Sequence, residues 1–502
     1  MPELQSKLRL PYDGQLLIDG AFVESESGDR FDVENPADRT VIGSAPDGTA
    51  ADIDTAVDAA QEAYEHRWRT LSARERGRYL FEIADAIEAE METFVELETV
   101  ENGKPRDQSR SDVTEAADTF RYYGGAADKH HGDTIPEKRE LFDYTVREPY
   151  GVVGCIIPWN WPPMHTADFT AAPIACGNTV VLKPAPEAPL SSLKMATLWQ
   201  EILPDGVVNV VTGGAKPGAR LASHPDVGKI GFTGHTQTGT KVMEAAAETI
   251  TEVMLELGGK NPNIVLPDAP LQAAVEGTAA GLFTNTGQAC AGCERLLLHE
   301  DIADEFLSAF TDHVSALTIG PGLDPETDIA PLANKKQYDK VSGYIERGKA
   351  AGATVLYEGS VPDDVDDGYY VPPVLFGDVD PDMDIVREEV FGPVMIVQEF
   401  SAVSDAVAMA NDTQYGLTGA VWTKDMRVGN RLARRIDAGI VYLNNYDNGT
   451  FLGAPFGGFG RSGVGKKLAF EETLQEFTRT KTIRTRIAED TVDDLDAYYT
   501  DD

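Results

Sequence analysis

Short apolar runs alternate with helical stretches along the middle of the chain, beginning just after Tyr150. The runs are too short for helices and contain few polar positions, which is typical of strands buried on both faces. Buried strands that alternate with helices predict a parallel, doubly wound sheet. Five strands are expected here, at 151–157, 179–182, 207–211, 229–232 and 253–257, with helices at 165–175, 191–202, 217–223 and 239–248 between them.

The loops that follow the first four strands are small, polar or basic. Ligands of doubly wound sheets bind beyond the carboxyl ends of the strands. The sequence therefore predicts a binding site along one edge of this sheet, formed by Pro158–Asn160, Lys183–Pro184, Gly213–Gly214 and Thr233–Gly234.

A second alternating region runs from Asn261 to about Gly465, with strands expected near 295–299, 394–400, 419–422 and 440–443. A helical pattern from Thr49 to Val95 precedes the first sheet. The fold class is therefore α/β, with two doubly wound parallel-sheet domains. Residues 477–484 alternate strictly, as an exposed strand would, and such strands often pair with another chain.

The composition excludes several classes of partner. The 502 residues exceed what one core supports, and 83 Asp and Glu against 43 Lys and Arg give a net charge of −40. Nucleic acids and anionic membranes would repel such a chain. The acidic residues are dispersed, which favours a halophilic source over an unusually acidic mesophile. No signal-like or membrane-length apolar run is present, so a cytoplasmic location is expected.

Four cysteines, at positions 155, 176, 290 and 293, are too few for a disulfide scaffold. The lone pair Cys290 and Cys293 has no second pair to complete a zinc site, so no metal is predicted.

Two stretches carry candidate chemistry. Glu256–Lys260 offers a carboxylate at the end of an apolar strand, and Phe283–Cys290 offers a thiol in a polar turn that contains glycine. A carboxylate that takes a proton and a thiol that attacks carbon are what covalent catalysis through a thioester requires.

Seven motifs occur in a fixed order along the chain. With them in register, from about Leu17 to Ile487, the chain resembles the NAD(P)-dependent aldehyde dehydrogenase superfamily, of the type that hydrolyses its thioester. The motifs are Pro158–Pro162, Val181–Pro184, Gly231–Gly234 with Gly239, Glu256–Lys260, Gly287–Cys290, Glu388–Pro393 and Pro455–Phe459.

The resemblance implies roles for four catalytic residues. Cys290 would attack the aldehyde, and Asn160 with the backbone N–H of Cys290 would stabilise the oxyanion. After hydride transfer, Glu256 would activate the water that hydrolyses the thioester. Lys183, together with Glu389, would hold ribose hydroxyls of the cofactor.

The resemblance also implies NAD as cofactor, with NADP possible. His235 stands where the family most often has serine, and Pro186, followed by Glu187, stands where many NAD-preferring members have glutamate. The implied cofactor residues are Ile156, Ile157, Pro158, Trp159, Lys183, Pro186, Gly214, Gly218, Phe232, Thr233, Gly234, His235, Thr238, Leu257, Gly258, Glu389 and Phe391.

The implied substrate is a small aliphatic or aromatic aldehyde, and the implied assembly is a homodimer or homotetramer. The aldehyde pocket is expected to be apolar, with Trp161, Met164, Phe169, Ala289, Ala291 and Phe456 in its wall. The expected domains are a dinucleotide-binding domain (1–126 and 149–258), a catalytic domain (259–473), oligomerisation strands (127–148 and 474–490) and an acidic tail (491–502).

Three other functions are compatible with parts of this pattern. A CoA-acylating relative would typically lack Glu256, and a silent binding protein of the same fold would have lost Cys290, Glu256 or Asn160. A cysteine hydrolase would need a histidine in a recognisable motif beside Cys290. Hydrolytic aldehyde oxidation is therefore the favoured hypothesis.

The dispersed charge leads to a testable expectation about salt. Screening weakens repulsion among exposed charges, so a halophilic enzyme of this net charge should be more active in molar salt than in dilute buffer. Aldehyde-dependent reduction of NAD, measured at both salt concentrations, checks this. Highest activity in the absence of salt would contradict the halophilic origin.

Overall fold

The computed structural model describes residues 8–138, 141–365, 367–446 and 451–486. The predicted acidic tail, together with 487–490, lies outside them. The N-terminal part contains strands β1 (Tyr12–Asp13), β2 (Leu16–Ile18), β3 (Ala21–Val23), β4 (Arg30–Glu34) and β5 (Val41–Pro46), helices α1 (Ala50–Ala63), α2 (Ala73–Ala89), α3 (Met91–Asn102) and α4 (Arg106–Ala126), and strands β6 (Thr134–Ile135) and β7 (Leu141–Pro149).

Reciprocal capping fixes where the first two helices begin. The Thr49 hydroxyl accepts a hydrogen bond from the Asp52 N–H, and the Asp52 carboxylate accepts from the Thr49 N–H. Ser72 and Glu75 form the same arrangement at the start of α2. Each pair satisfies N–H groups that the helix itself leaves without partners.

Alternating strands and helices then build the first large sheet. This region consists of β8 (Val152–Ile156), α5 (Pro162–Asp168), α6 (Ala171–Ala175), β9 (Thr179–Lys183), α7 (Leu190–Ile202), β10 (Val208–Val210), α8 (Ala215–Ala222), β11 (Val227–Thr233), α9 (Thr236–Ala247) and β12 (Glu252–Glu256).

A second alternating region follows directly. It consists of β13 (Pro262–Val265), α10 (Leu271–Phe283), β14 (Arg295–His299), α11 (Glu300–Ser315), α12 (Lys335–Ala350), β15 (Thr354–Glu358), β16 (Val374–Gly377), α13 (Asp384–Arg387), β17 (Val394–Phe400), α14 (Val403–Asn411), β18 (Thr418–Trp422), α15 (Met426–Ala433), β19 (Ile440–Leu443), β20 (Gly463–Val464), α16 (Glu471–Glu476) and β21 (Thr478–Arg486).

The two large sheets confirm the predicted α/β fold class. The first has the strand order β20-β12-β11-β8-β9-β10-β2-β3, and the second β15-β16-β17-β14-β13-β18-β19. Strands β8 to β12 are parallel, whereas β2, β3 and β20 add antiparallel edges, as β15 does in the second sheet. The sheets are therefore parallel at their centres and mixed at their edges.

The single helix expected from 165 to 175 is wrong, because two short helices occupy this stretch. Helix α5 ends at Asp168 and α6 begins at Ala171. Proline at position 173 has no N–H and would clash with the carbonyl of Phe169 in a continuous helix. The break therefore falls immediately after α5.

Strand register brings the carboxyl ends of the central strands together. Ile156 lies opposite Phe232 on one side and Lys183 on the other, and Thr233 lies opposite Glu256. Helices cover both faces and bury the apolar side chains of these strands. The loops that leave the strands therefore share one edge, as the sequence predicts.

The predicted domain boundaries remain a prediction, and one short strand crosses them. Strand β20 falls in the segment assigned to the catalytic domain but pairs with β12 of the first sheet. A separate small sheet has the order β21-β7-β6, with β21 and β7 antiparallel over their whole length. Over the described ranges, no helix is both long and apolar enough to cross a membrane.

Candidate active site

The thiol of Cys290 follows a turn with an unusual backbone. Asn285, Thr286 and Gly287 have φ values of 49°, 56° and 76°. A β-branched residue with positive φ is rare and costs free energy. Gly287 is required here, because a Cβ would lie 2.2 Å from the carbonyl oxygen of Gly392.

Side-chain hydrogen bonds hold this turn in place. The Asn285 amide donates to the carbonyl of Asn160 at 2.8 Å, and the Thr286 hydroxyl donates to the carbonyl of Ala330 at 2.8 Å. The amide of Asn261 donates to the carbonyl of Cys290 at 2.9 Å. The strained turn is thus fixed from several sides, and it fixes the position of the sulfur.

Cys290 is half-buried and packs against an apolar cluster formed by Leu417, Phe456 and Leu468. Burial raises the pKa of this thiol to about 12, and the carboxyls of Glu389 and Glu256 raise it further, while Lys467 lowers it. At neutral pH the thiol therefore keeps its proton until a base removes it.

Glu256 ends strand β12 with a buried carboxyl group. Neither of its oxygens has a hydrogen-bond partner. Burial raises the pKa of Glu256 well above its usual range, although Lys467 and Lys466 oppose this. A carboxyl group in this state is suited to take up a proton near neutral pH.

Asn160 lies between the two halves of the site. Its amide nitrogen donates to the carbonyl of Gln288 at 3.1 Å, which leaves a second N–H on the same nitrogen. The backbone carbonyl of Asn160 accepts hydrogen bonds from Lys104 Nζ at 2.9 Å and from the Asn285 amide at 2.8 Å. The amide is therefore held beside the cysteine loop with an N–H to offer.

These three residues line one cavity of about 440 Å³, a size typical of ligand pockets. The structure brings thirteen of the predicted site residues together in its wall. They are Pro158, Trp159, Asn160, Thr233, Gly234, His235, Thr238, Glu256, Leu257, Gly258, Cys290, Glu389 and Phe391.

A buried ion pair positions the Glu389 side of the cavity. Lys260 and Glu294 are 2.5 Å apart, and Glu294 also accepts hydrogen bonds from the backbone N–H groups of Val390 and Phe391. Glu389 accepts from the Gly259 N–H at 2.9 Å. Burial raises the pKa of Glu389 to about 7, and Lys340 opposes the shift.

The cavity wall also contains residues that the sequence analysis did not assign to it. Asn334, Lys336, Gln337 and Lys340 lie at the start of α12, and Gln237 lies in the first turn of α9. Lys336 and Lys340 are one helical turn apart, and this basic pair in an acidic chain is the signal that could have revealed them.

His235 caps α9 and is neutral at neutral pH. Its Nδ1 accepts a hydrogen bond from the Gln237 N–H at 3.3 Å. Burial lowers the pKa of His235, and the nearby Lys340 and Lys336 lower it further. The positive charge at this end of the cavity therefore comes from the two lysines.

Seven of the predicted cofactor-binding residues are not in the wall of this cavity. Lys183 and Ile156 are neighbours of Gly218, and burial lowers the pKa of Lys183 to about 8, against the influence of Glu187 and Asp47. The seven are Ile156, Ile157, Lys183, Pro186, Gly214, Gly218 and Phe232, of which Ile156 and Phe232 belong to an apolar cluster of the first sheet.

Comparisons with known proteins agree with this geometry. The model of the aldehyde dehydrogenase family matches residues 22–483. An aldehyde dehydrogenase of Emericella nidulans is 39% identical over 477 residues, which cover 94% of this chain and 95% of that protein. The chain belongs to the aldehyde dehydrogenase family.

Solved structures of similar proteins extend this result. An NAD+ complex of an aldehyde dehydrogenase from Bacillus cereus has a TM-score of 0.92 and 38% identity, covering 95% of this chain and 98% of that one. A betaine aldehyde dehydrogenase from Staphylococcus aureus with NAD+ has a TM-score of 0.93 and 35% identity, covering 95% and 96%. The predicted family and class of enzyme are confirmed.

Next to Cys290, the aldehyde dehydrogenase presents an apolar surface. Trp161, Met164 and Ala289 pack together, and Phe456 belongs to the apolar cluster against which the cysteine packs. The carbonyl of Ala291 accepts a hydrogen bond from a tyrosine hydroxyl at 2.8 Å. These five predicted pocket residues are all buried. Ala289 and Ala291 flank Cys290 in the sequence, and the other three belong to the apolar clusters just described.

The prediction that Phe169 lines the aldehyde pocket is wrong. Phe169 is fully buried in the core of the first sheet, and its ring occupies the space where Gly231 has no Cβ. The break after α5 turns this side chain toward the sheet, which could not be foreseen from a continuous helix.

Replacing Phe169 and replacing Phe456 should therefore have different consequences. Phe169→Ala removes a ring from a filled core and should lower the free energy of unfolding by about 3–5 kcal/mol. Phe456→Ala should mainly change the KM for aldehydes. Denaturant unfolding and steady-state kinetics of both variants test this. A larger change in KM for Phe169→Ala than for Phe456→Ala would return Phe169 to the pocket.

Proposed function

We propose that this aldehyde dehydrogenase oxidises a small, uncharged aldehyde to the carboxylic acid through a thioester on Cys290. The observation that carries the proposal is the single cavity shared by the Cys290 thiol, the Asn160 amide and the unpartnered carboxyl of Glu256. A nucleophile, an oxyanion donor and a base are what the two half-reactions need.

NAD+ fits the wall of the cavity. The Thr233 hydroxyl and the Asn334 amide nitrogen are buried without hydrogen-bond partners, and both residues face the cavity. The N-terminus of α9 and the lysines at 336 and 340 suit a pyrophosphate. Gly258 leaves no room for a Cβ beside the Glu389 carboxyl, so backbone and carboxylate together suit a ribose.

NAD+ is favoured over NADP+. Glu187 lies in the cavity wall, where its carboxylate would repel a 2′-phosphate. The similar enzymes from Bacillus cereus and Staphylococcus aureus were solved with NAD+. When bound, NAD+ accepts the hydride that leaves the aldehyde carbon.

The first half-reaction belongs to Cys290 and Asn160. The thiol loses its proton to a base, for which Glu256 is placed in the same cavity, and the sulfur attacks the aldehyde carbon. The negatively charged aldehyde oxygen accepts hydrogen bonds from the side-chain amide of Asn160 and from the backbone N–H of Cys290. Loss of one such donor typically reduces the rate by about 10²–10³.

The second half-reaction belongs to Glu256. Once the proton from the thiol has passed from Glu256 to solvent, the carboxylate removes a proton from water, and the resulting hydroxide attacks the thioester carbon. The carbon–sulfur bond breaks, the acid is released, and the Cys290 thiolate takes up the proton that Glu256 holds. The apolar surface formed by Trp161, Met164 and Phe456 favours an aliphatic or aromatic aldehyde over a charged one.

A homodimer or homotetramer is part of the same proposal. Strand β21 pairs with β7 along one edge, and it is the outer strand of its sheet, so its other edge is available to a second copy. The cytoplasmic location and the halophilic origin remain predictions from the sequence.

The first test is reduction of NAD+ by a panel of aldehydes. The protein should reduce NAD+ faster than NADP+ with uncharged aldehydes, and Cys290→Ala should lower the rate to background. Cys293→Ala, which removes a buried thiol beside the nucleophile, is the matched control and should retain activity. Substantial turnover by Cys290→Ala would contradict the proposal.

The second test separates the two half-reactions. Glu256→Gln should slow thioester hydrolysis by about 10²–10⁴ and leave a burst of NADH in rapid mixing. Because a carboxyl with a raised pKa is protonated on the acid side, kcat of the unmodified enzyme should rise with pH through that pKa, and Glu256→Gln should lose this dependence. An unchanged steady-state rate would remove Glu256 from the mechanism.

A further inference from the structure

A buried lysine lies beside the nucleophile and the base. Lys467 pairs with Phe456 through two backbone hydrogen bonds of 2.9 Å, and Phe456 belongs to the apolar cluster against which Cys290 packs. Gly457, the next residue, is so close to the base that a Cβ there would lie 2.7 Å from Oε1 of Glu256. The side chain of Lys467 is only 2% exposed.

The ammonium group of Lys467 has a dedicated partner. Its Nζ lies 2.8 Å from Oδ2 of Asp168 and 3.4 Å from Nδ1 of His165, and the same Asp168 oxygen is 3.3 Å from His165 Nδ1. The rings of Phe456 and Phe169 lie 5.1 Å and 6.0 Å from Nζ. The lysine is therefore held within an apolar enclosure by one carboxylate.

Charges in this enclosure can be assigned. Burial lowers the pKa of His165 to about 4, and Lys467 lowers it further, so His165 is neutral at neutral pH. Burial opposes the charge on Lys467, but Asp168 and Glu256 outweigh it and raise the pKa of the lysine. Lys467 and Asp168 thus form a pair of opposite charges inside the protein.

The positive end of this pair acts on the reacting groups. Among the charged residues, Lys467 has the strongest influence that lowers the pKa of Cys290, whereas Glu389 and Glu256 raise it. Lys467 is also the strongest influence that lowers the pKa of Glu256. Lys466 lowers this pKa as well, whereas Glu476 and Asp168 raise it.

We infer that Lys467, held by Asp168, is a positioning residue that supplies the counter-charge for the thiolate of Cys290. Without it, the sulfur anion would face two carboxyl groups, Glu256 and Glu389, in a poorly solvated cavity. The inference rests on the proposed function only in taking Cys290 as the nucleophile.

Alkylation of Cys290 by iodoacetamide tests the inference without turnover. The rate in the full-length enzyme without cofactor is measured across pH, and mass spectrometry identifies the Cys290 peptide. Cys290→Ala gives the background from the other three thiols. In Lys467→Met the midpoint of the pH profile should rise by about one pH unit or more, and the rate at neutral pH should fall about tenfold.

Two further variants guard against a folding defect. The double variant Lys467→Met/Asp168→Asn leaves no unpaired buried charge and should show the same upward shift. Lys467→Arg should keep the midpoint near that of the unmodified enzyme. Asp168→Asn removes the negative end alone, so its midpoint should stay in place or move downward.

Lys229→Met is the matched control. Lys229 is also a buried, ion-paired lysine, 2.8 Å from Glu476, but it contacts neither Phe456 nor Asp168. Its loss should leave the Cys290 midpoint unchanged.

Unshifted midpoints in both the single and the double variant would overturn the inference. So would a rate lowered by one common factor at every pH, which is what a purely structural role predicts. An upward shift in a protein that oxidises no aldehyde would support the inference and contradict the proposed function, whereas normal turnover with unshifted midpoints would contradict the inference alone.

Discussion

The site depends on one backbone oxygen, the carbonyl of Asn160, at which two donors meet. Lys104 reaches it from the turn after α3, and Asn285 reaches it from the strained turn that precedes Cys290. A buried carbonyl without a donor costs about 1–3 kcal/mol, so these contacts favour one arrangement of the loops. The loops that carry the Asn160 amide and the Cys290 thiol are thereby fixed relative to each other.

Burial dominates the electrostatics of the interior, in contrast to the acidic surface. Each of three buried lysines, 104, 260 and 467, has a buried carboxylate within 2.9 Å. The Cys290 thiol and the Glu256 carboxyl lack such close partners, and desolvation raises the pKa of both. In this enzyme the buried lysines are thus paired with carboxyl groups, whereas the side chains of Cys290 and Glu256 have no such close partner.

The central strands were predictable because each is a continuous apolar run, and those at 295–299, 394–400 and 440–443 begin and end as expected. The carboxyl-end loops followed from the parallel order of these strands. The contribution of α12 to the cavity could not be predicted in this way, because Lys336 and Lys340 reach the cavity through tertiary packing. Strand β20 could not be predicted either, because its two residues are too few to show a periodic pattern. The orientation of the Phe169 side chain toward the first sheet depends on the helix break that Pro173 imposes.

Strand β20 has a consequence for biosynthesis. Its residues pair with Leu255 and Glu256, and the carbonyl of Ser462 accepts a hydrogen bond from Leu257. The strand that carries Glu256 is thus completed by a segment translated long after it. A nascent chain that has left the ribosome only as far as Cys290 still lacks this edge, so the strand that carries Glu256 gains its last neighbour late in synthesis.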